Sequence, residues 1–299
     1  MNTDVTTAAA TKPAGEAPRT RGGEAWRRLR ANRLAHAGAW ILLALALACL
    51  LFPLLPVMDS DTQTLANANL PPSASHLFGT DALGRDLLAR VLEGGRISLG
   101  VGLAGTLVSL VIGVSYGMAA GYKGGWLDSA MMRGVDILNA LPFTLFVILL
   151  TAVFSDLPGF GRLLLMFIAI GAVEWLGMAR IIRAQTLALR DQDFVNASRV
   201  LGQGTLGILR LHILPNLLGT IAIYATLTVP RVMLLESFLS FLGLGAELSW
   251  GSLIRDGADA MEASPWLLVF PSIFFSLTLF CLNFLGDGLR DALDPKARR

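Results

Sequence analysis

Long apolar runs broken by short charged stretches set the pattern of this chain. The runs lie near residues 35–57, 97–121, 135–154, 163–179, 217–235 and 266–285. Each is close to the length, about 20 helical residues, that crosses a hydrocarbon core of about 30 Å. None alternates with a period of two, and backbone groups in lipid must bond within their own segment, so helices are predicted rather than a barrel. The expectation is an all-α membrane protein with six transmembrane helices.

The polar segments divide the chain into a tail at residues 1–33, a first span with a long loop at 34–95, and the remaining spans at 96–299. The first 23 residues are rich in Ala, Thr, Pro and Gly and carry too little apolar side chain to build a core. The apolar run that follows is longer than a signal-peptide core and is not followed by a small-residue cleavage site, so it is expected to remain as the first span. Pro53 and Pro56 end it. The next loop, from Met58 to Gly95, is turn-like in its first half. In its second half Thr80 or Asp81 is expected to cap an amphipathic helix, with Leu87, Leu88, Val91 and Leu92 on one face and Asp86 paired to Arg90 one turn on. That helix is expected to lie along the membrane surface, with Gly94 and Gly95 turning the chain into the second span.

Composition agrees with the pattern: 54% of residues are hydrophobic and 15% charged, and the mean hydropathy is +0.61. The net charge of +2 says less than its distribution. Arg27, Arg28, Arg30 and Arg33 precede the first span, Arg180, Arg183, Arg190, Arg199 and Arg210 lie between the fourth and fifth, and Arg290, Lys296, Arg298 and Arg299 follow the last. The alternate loops hold only Arg85, Arg90, Arg96, Arg162 and Arg255. By the positive-inside rule both termini and the loop at 180–215 are expected in the cytoplasm. Nothing in this distribution suggests a nucleic-acid partner. Cys49 and Cys281 sit in apolar runs without ligand-like spacing and read as small core residues.

Within the spans, Gly100, Gly102, Gly105, Gly113 and Gly117 recur at intervals that let helices approach closely. Pro230 and Arg231 interrupt the fifth run and Glu236 follows it. A helical rise of 1.5 Å per residue from Asn216 puts Arg231 roughly 22 Å and Glu236 roughly 30 Å along the span. An ion at that depth either lines a translocation path or outer gate, or snorkels outward to a headgroup or to its neighbour. The stretch from Ser237 to Gly245 is too apolar for a free loop and too glycine-broken for a span, so a short re-entrant element is expected. Glu174, beside Trp175, reads as an interfacial anchor near the cytoplasmic end of the fourth span.

Chemistry-bearing motifs are missing. His36, His76 and His212 are scattered, and neither HExxH nor CxxC occurs. Lys12, Lys123 and Lys296 are followed by Pro13, Gly124 and Ala297, so no phosphate-cradling GK[ST] loop exists and the chain cannot be its own ATP-driven motor. An enzyme is not expected. An ion-coupled secondary transporter or channel is the rival reading, although internal repeats and midplane charges are not evident. The loop at 180–215 can fold as a hairpin of two short helices, Val195 to Leu201 and Thr205 to Leu211, bent at Gly202 and Gly204 and entering the fifth span at Pro215. Leu206, Ile208 and Leu209 give it an apolar edge that can insert into a partner's groove.

Asn196-Ala197-Ser198, then Gly202 after three residues, then Ile213-Leu214-Pro215, resembles the EAA loop with which ABC importer permeases dock on their ATPase subunits. Gly79, Thr80, Asp81, Gly84, Arg85, Asp86 and Arg90 form a GTDxxGRDxxxR pattern, and SFLGLG is followed by SWG. Both resemble the second permease subunit of oligopeptide, dipeptide and nickel importers. The resemblance implies a type I ABC importer transmembrane domain at 96–299, in a bacterial cytoplasmic (inner) membrane. It implies Asn196, Ala197, Ser198, Gly202, Leu206, Leu209, Ile213 and Pro215 as the coupling loop, and di- or oligopeptides or similar solutes as cargo. The implied partners are a second permease subunit, two ATP-binding subunits that carry ATP and magnesium, a periplasmic or lipid-anchored solute-binding protein, and membrane lipid. No cofactor is expected on this chain. Asn196 and Ser198 depart from the family pattern, which has an acidic residue and alanine there, so any salt bridge made by that acid is lost.

Overall fold

A computed structural model describes residues 27, 30–51, 60–142, 145–146, 148–149, 153 and 159–293, with backbone alone described at 159–169 and 172. The principal helices are α1 (Arg33–Leu51), α2 (Leu87–Lys123), α3 (Gly125–Ala140), α4 (Gly159–Arg190), α5 (Asp193–Val200), α6 (Thr205–Ile208), α7 (Leu214–Phe241), α8 (Trp250–Asp259) and α9 (Trp266–Leu293). A π-helical segment, Leu209–Ile213, joins α6 to α7 without a break. Among the described residues there is no strand, only an isolated bridge between Thr80 and Asp86. Four described helical stretches are long and apolar enough to cross a membrane: Arg33–Leu51, Leu87–Lys123, Thr205–Phe241 and Trp266–Leu293. The fourth expected span lies in the 32-residue α4. The third, at 135–154, begins in α3, and beyond residue 142 only 145, 146, 148, 149 and 153 of it are among the described residues.

α2 is the spine. Most of its glycines are contact points, as their spacing predicts. A Cβ on Gly113 would lie 2.7 Å from Met178 Cβ, one on Gly117 2.9 Å from Ile182 Cβ, and one on Gly121 2.7 Å from the Arg183 carbonyl. The paired numbers rise together, so α2 and α4 run parallel. Gly102 and Gly105 instead face Met233 and Val232 of α7, which therefore runs antiparallel. Lipid is as apolar as these side chains, so close backbone approach and van der Waals contact, rather than the hydrophobic effect, hold such helices together. Cys49 of α1 meets Gly95, and Gly38 meets Cys281 of α9. α1 thus begins, and α9 ends, at the end of the bundle that carries α5 and α6, here called the hairpin end.

The opposite, cap end is closed by residues 60–86. Asp81 is its hub: Oδ1 accepts from the backbone N–H groups of Leu83 and Arg85, both at 2.9 Å, while Oδ2 accepts from Arg85 Nε at 2.7 Å and Arg90 Nη1 at 2.6 Å. Burial pushes the Asp81 carboxyl upward, but hydrogen bonds and charge from Arg85 and Arg90 outweigh it and hold it below the usual carboxylate range. Thr80 Oγ1 donates to the Asn67 carbonyl at 2.5 Å and accepts from Leu70 N–H at 2.8 Å. Gly79 and Gly84 take φ of 80° and 72°, where a side chain would be strained. Phe78 stacks on Phe270 of α9 with centroids 4.0 Å apart, an arrangement contributing about 0.5–1.5 kcal/mol beyond burial.

Three expectations for this region are corrected. The helix cap is Asp86, which accepts from Ala89 N–H, rather than Thr80 or Asp81. Asp86 pairs with His76 at 2.9 Å and Arg90 with Asp81, so the expected Asp86–Arg90 pair does not form. Helix α2 also runs unbroken through Gly94 and Gly95, and among the described residues no separate amphipathic surface helix precedes it. Those glycines give way to neighbours instead: a Cβ on Gly95 would sit 2.6 Å from both Cys49 Sγ and the Trp250 ring.

The expected re-entrant element resolves into two parts. Helix α7 continues through Pro230 to Phe241 and stops in a Schellman turn, with Leu244 N–H donating to the Leu239 carbonyl at 2.9 Å, Gly243 N–H to Ser240 at 3.0 Å, and Gly243 at φ 80°. Helix α8 then starts at a capping box between Ser249 and Ser252. It is pinned by the fully buried Trp250, whose Nε1 donates to the Val91 carbonyl at 2.8 Å.

Candidate functional site

At the hairpin end, α4 projects past its apolar run and delivers the chain into α5. The turn that follows is a second Schellman motif. Gln203 N–H donates to the Ser198 carbonyl at 3.1 Å and Gly202 N–H to Arg199 at 3.0 Å, with Gly202 at φ 78°. The bend expected at Gly202 is present, and Pro215 lies in the first turn of α7. The first leg, α5, begins at Asp193 rather than Val195. The second leg is not a separate helix, because α6 and the π segment carry the chain directly into α7.

The root of this hairpin is buried. Val195, Ile208, Ile213 and Leu217 pack with Val114, Met178 and Ile182, and Leu209 joins this cluster half-buried. The tip is exposed and apolar: Val200 is 87%, Leu201 86% and Leu206 61% exposed. The expected coupling residues therefore divide. Asn196, Ala197, Gly202, Leu206 and Pro215 are exposed, whereas Ser198 and Ile213 are buried and hold the hairpin's shape. Val200 and Leu201 escaped the sequence reading; their position just before the turning Gly202 is the signal that could have found them.

Polar contacts brace the legs. His212 Nε2 lies 2.8 Å from Gln203 Oε1 and 3.1 Å from Ser198 Oγ, which itself donates to the Phe194 carbonyl at 2.9 Å. Asn196 Oδ1 accepts from Arg199 Nη1 at 3.1 Å, so an oxygen is retained where the family pattern has a carboxylate. Arg199 also reaches Tyr122 at the end of α2. Behind the hairpin, Asp128 of α3 accepts from Arg183 of α4 at 2.5 and 2.6 Å. That double hydrogen bond holds the Asp128 carboxyl below the usual carboxylate range. Arg180 pairs with Asp136 at 2.9 Å, tying the same two helices.

The two ionisable residues expected near the path lie in different surroundings. Glu236 is fully buried and accepts from Ser98 and Ser237, both at 3.1 Å, and from Ser240 at 2.8 Å. Ser98 Oγ also accepts from Trp250 N–H at 3.2 Å, so the carboxylate knots α2, α7 and α8 together. Arg231 is exposed and, among the described residues, forms no ion pair with Glu236. Glu174 is half-buried near the middle of the 32-residue α4, five residues before the end of the expected span at 163–179.

The family described as binding-protein-dependent transport system inner membrane component matches residues 93–299. The N-terminal transmembrane domain of oligopeptide transport permease C matches residues 20–72. The chain is 50% identical to the oligopeptide transport system permease protein OppC of Haemophilus influenzae, covering 92% of this chain and 88% of that protein. It is 52% identical to OppC of Escherichia coli, covering 92% and 91%, and 48% identical to the dipeptide transport system permease protein DppC of Bacillus subtilis, covering 92% and 86%. A solved structure of the MetNI methionine ABC transporter, in inward facing conformations, shares the fold with a TM-score of 0.54 at 17% identity, over 68% of this chain and 96% of that one. The chain belongs to the family of inner membrane components of binding-protein-dependent transport systems, in its OppC/DppC branch.

Proposed function

We propose that this chain is one permease subunit of an ABC importer for di- or oligopeptides, driven through the hairpin by separate ATPases. The carrying observation is a hairpin with a buried root whose tip exposes Val200, Leu201 and Leu206, in a chain that has no phosphate-binding loop. Such a tip fits a groove on a partner. A second permease subunit, two ATPases binding ATP and magnesium, and a solute-binding protein complete the proposed assembly. The chain itself catalyses no reaction and carries no cofactor. The parallel course of α2 and α4 favours six crossings, since the chain between them has to return. The arginines at the hairpin end favour a cytoplasmic hairpin and cytoplasmic termini.

ATP-driven closure of the partner subunits would move the hairpin as a lever. Asp128–Arg183 and Arg199–Tyr122 pass that motion into α3, α4 and α2, and the bundle switches between inward and outward access. Within this scheme Arg231 lines the path, while Glu236 fixes the cap end. The test is uptake of a labelled tripeptide by proteoliposomes holding the whole complex. Uptake that requires ATP on the hairpin side and survives an uncoupler is expected. Uptake that ignores ATP and collapses with the uncoupler would return the protein to the ion-coupled class.

A further inference from the structure

Arg231 lies on the outward stripe of α7, which also carries the exposed Leu234, Phe238 and Phe241, while its neighbours Val229, Pro230, Val232 and Met233 are buried. A charge held at this depth on the exposed face of a membrane-spanning helix is costly against lipid and is accommodated where the face meets water or an opposite charge. The opposite charge is at hand. α2, α4 and α7 converge where a Cβ on Gly105 would lie 2.8 Å from Val232 and 3.9 Å from Ile170. Glu174 is one helical turn beyond Ile170 on α4, and Arg231 adjoins Val232 on α7. No ion pair or hydrogen bond joins the two among the described residues. Glu174 and Arg231 therefore stand within about one helical turn of this convergence, on two helices that span the bundle, and neither forms an ion pair among the described residues.

We infer that Glu174 and Arg231 form a charge-reading station on the translocation path, Arg231 attracting carboxylates and Glu174 ammonium groups of the passing solute. The inference rests on the importer reading and names what the path selects: solutes that carry both charges, as peptides with free termini do. Added charge on a peptide side chain should then be felt at the matching residue.

Uptake of Ala-Glu-Ala and Ala-Lys-Ala is measured with the complete complex, for wild type, Arg231→Gln and Glu174→Gln. One binding protein feeds all three, so the variant-to-wild-type ratio for each peptide cancels its selectivity. Arg231→Gln is expected to lower uptake of the acidic peptide about tenfold relative to the basic one, and Glu174→Gln to do the reverse; tenfold corresponds to the loss of about 1.4 kcal/mol of differential interaction. Equal ratios for the two peptides in both variants would overturn the inference. A second measurement needs no transport. In a background lacking Cys49 and Cys281, Arg231→Cys in the assembled complex should react with a water-soluble thiol reagent; absence of reaction would place position 231 against lipid or protein and overturn the inference equally. Absence of ATP-dependent uptake by the wild type would count against the importer reading instead.

Discussion

The guanidinium carbon of Arg199 stands 5.2 Å from the centre of the Tyr122 ring, and Arg199 Nε donates to the Tyr122 hydroxyl at 3.3 Å. One residue sits in the hairpin and the other in the last turn of the bundle's spine, so this contact joins the proposed lever to α2. At an exposed site a cation–π contact contributes about 0.5–1 kcal/mol. Tyr122→Leu keeps an apolar side chain but removes both ring and hydroxyl. We expect ATPase subunits to co-purify with this variant while the solute moved per ATP falls about threefold, in line with that energy. Tyr122→Phe, which keeps the ring, should retain most of the ratio.

Asp128 makes the pH dependence of the hairpin end predictable. Its carboxyl is held below the usual aspartate range by Arg183, so the pair contributes stability that is complete above the unfolded value of about 3.9 and is lost as pH falls through the lower folded value. Asp128→Asn removes the charge at every pH and should cost about 2 kcal/mol near neutrality, the order of a hydrogen bond to a charged group. Thermal melting of the complex in lipid nanodiscs from neutral to acid pH checks it. The gap between wild type and variant should narrow only in the acid range; a gap unchanged down to pH 3 would contradict the assignment.

Gly113 and Gly100 separate packing glycines from permissive ones. A Cβ on Gly113 would lie 2.7 Å from Met178 Cβ and 2.9 Å from the Trp175 carbonyl, whereas one on Gly100 meets nothing within 4 Å. Gly113→Leu should force α2 and α4 apart at a cost of about 1–3 kcal/mol or more, read as a lower melting temperature and loss of intact complex. Gly100→Ala should melt like the wild type. Both glycines belong to one sequence pattern, and only their surroundings distinguish them.

The sequence carried the apolar runs, the hairpin and its bend at Gly202 because each rests on local signals: length, charge and glycine. It failed where the deciding contact is distant. Asp86 and Arg90 have ideal one-turn spacing, yet Arg90 turns to Asp81 because Asp81 already gathers Arg85 and two backbone N–H groups. Gly94 and Gly95 read as a hinge, but they admit Ser249 and Trp250 from a segment about 150 residues away, the kind of non-local contact that overrides propensity. Every residue of the GTDxxGRDxxxR pattern has a place in building the cap end, a role invisible without the fold. The apolar tip of the hairpin was half legible: Leu206 was read from its helical spacing, whereas Val200 and Leu201 gain their meaning only from an exposure of 87% and 86%.

The central claim, that the hairpin joins this chain to its motor, is tested most directly at Gly202. Its φ of 78° strains any β-branched residue although no neighbour blocks the space, so Gly202→Val re-aims Val200, Leu201 and Leu206 without disturbing the spans. The measurement is co-purification of the ATPase subunits with the permease, followed by ATP-dependent peptide uptake in proteoliposomes. The account predicts a membrane-inserted variant that loses the ATPases or hydrolyses ATP without uptake. Wild-type association together with wild-type uptake in the valine variant would contradict it.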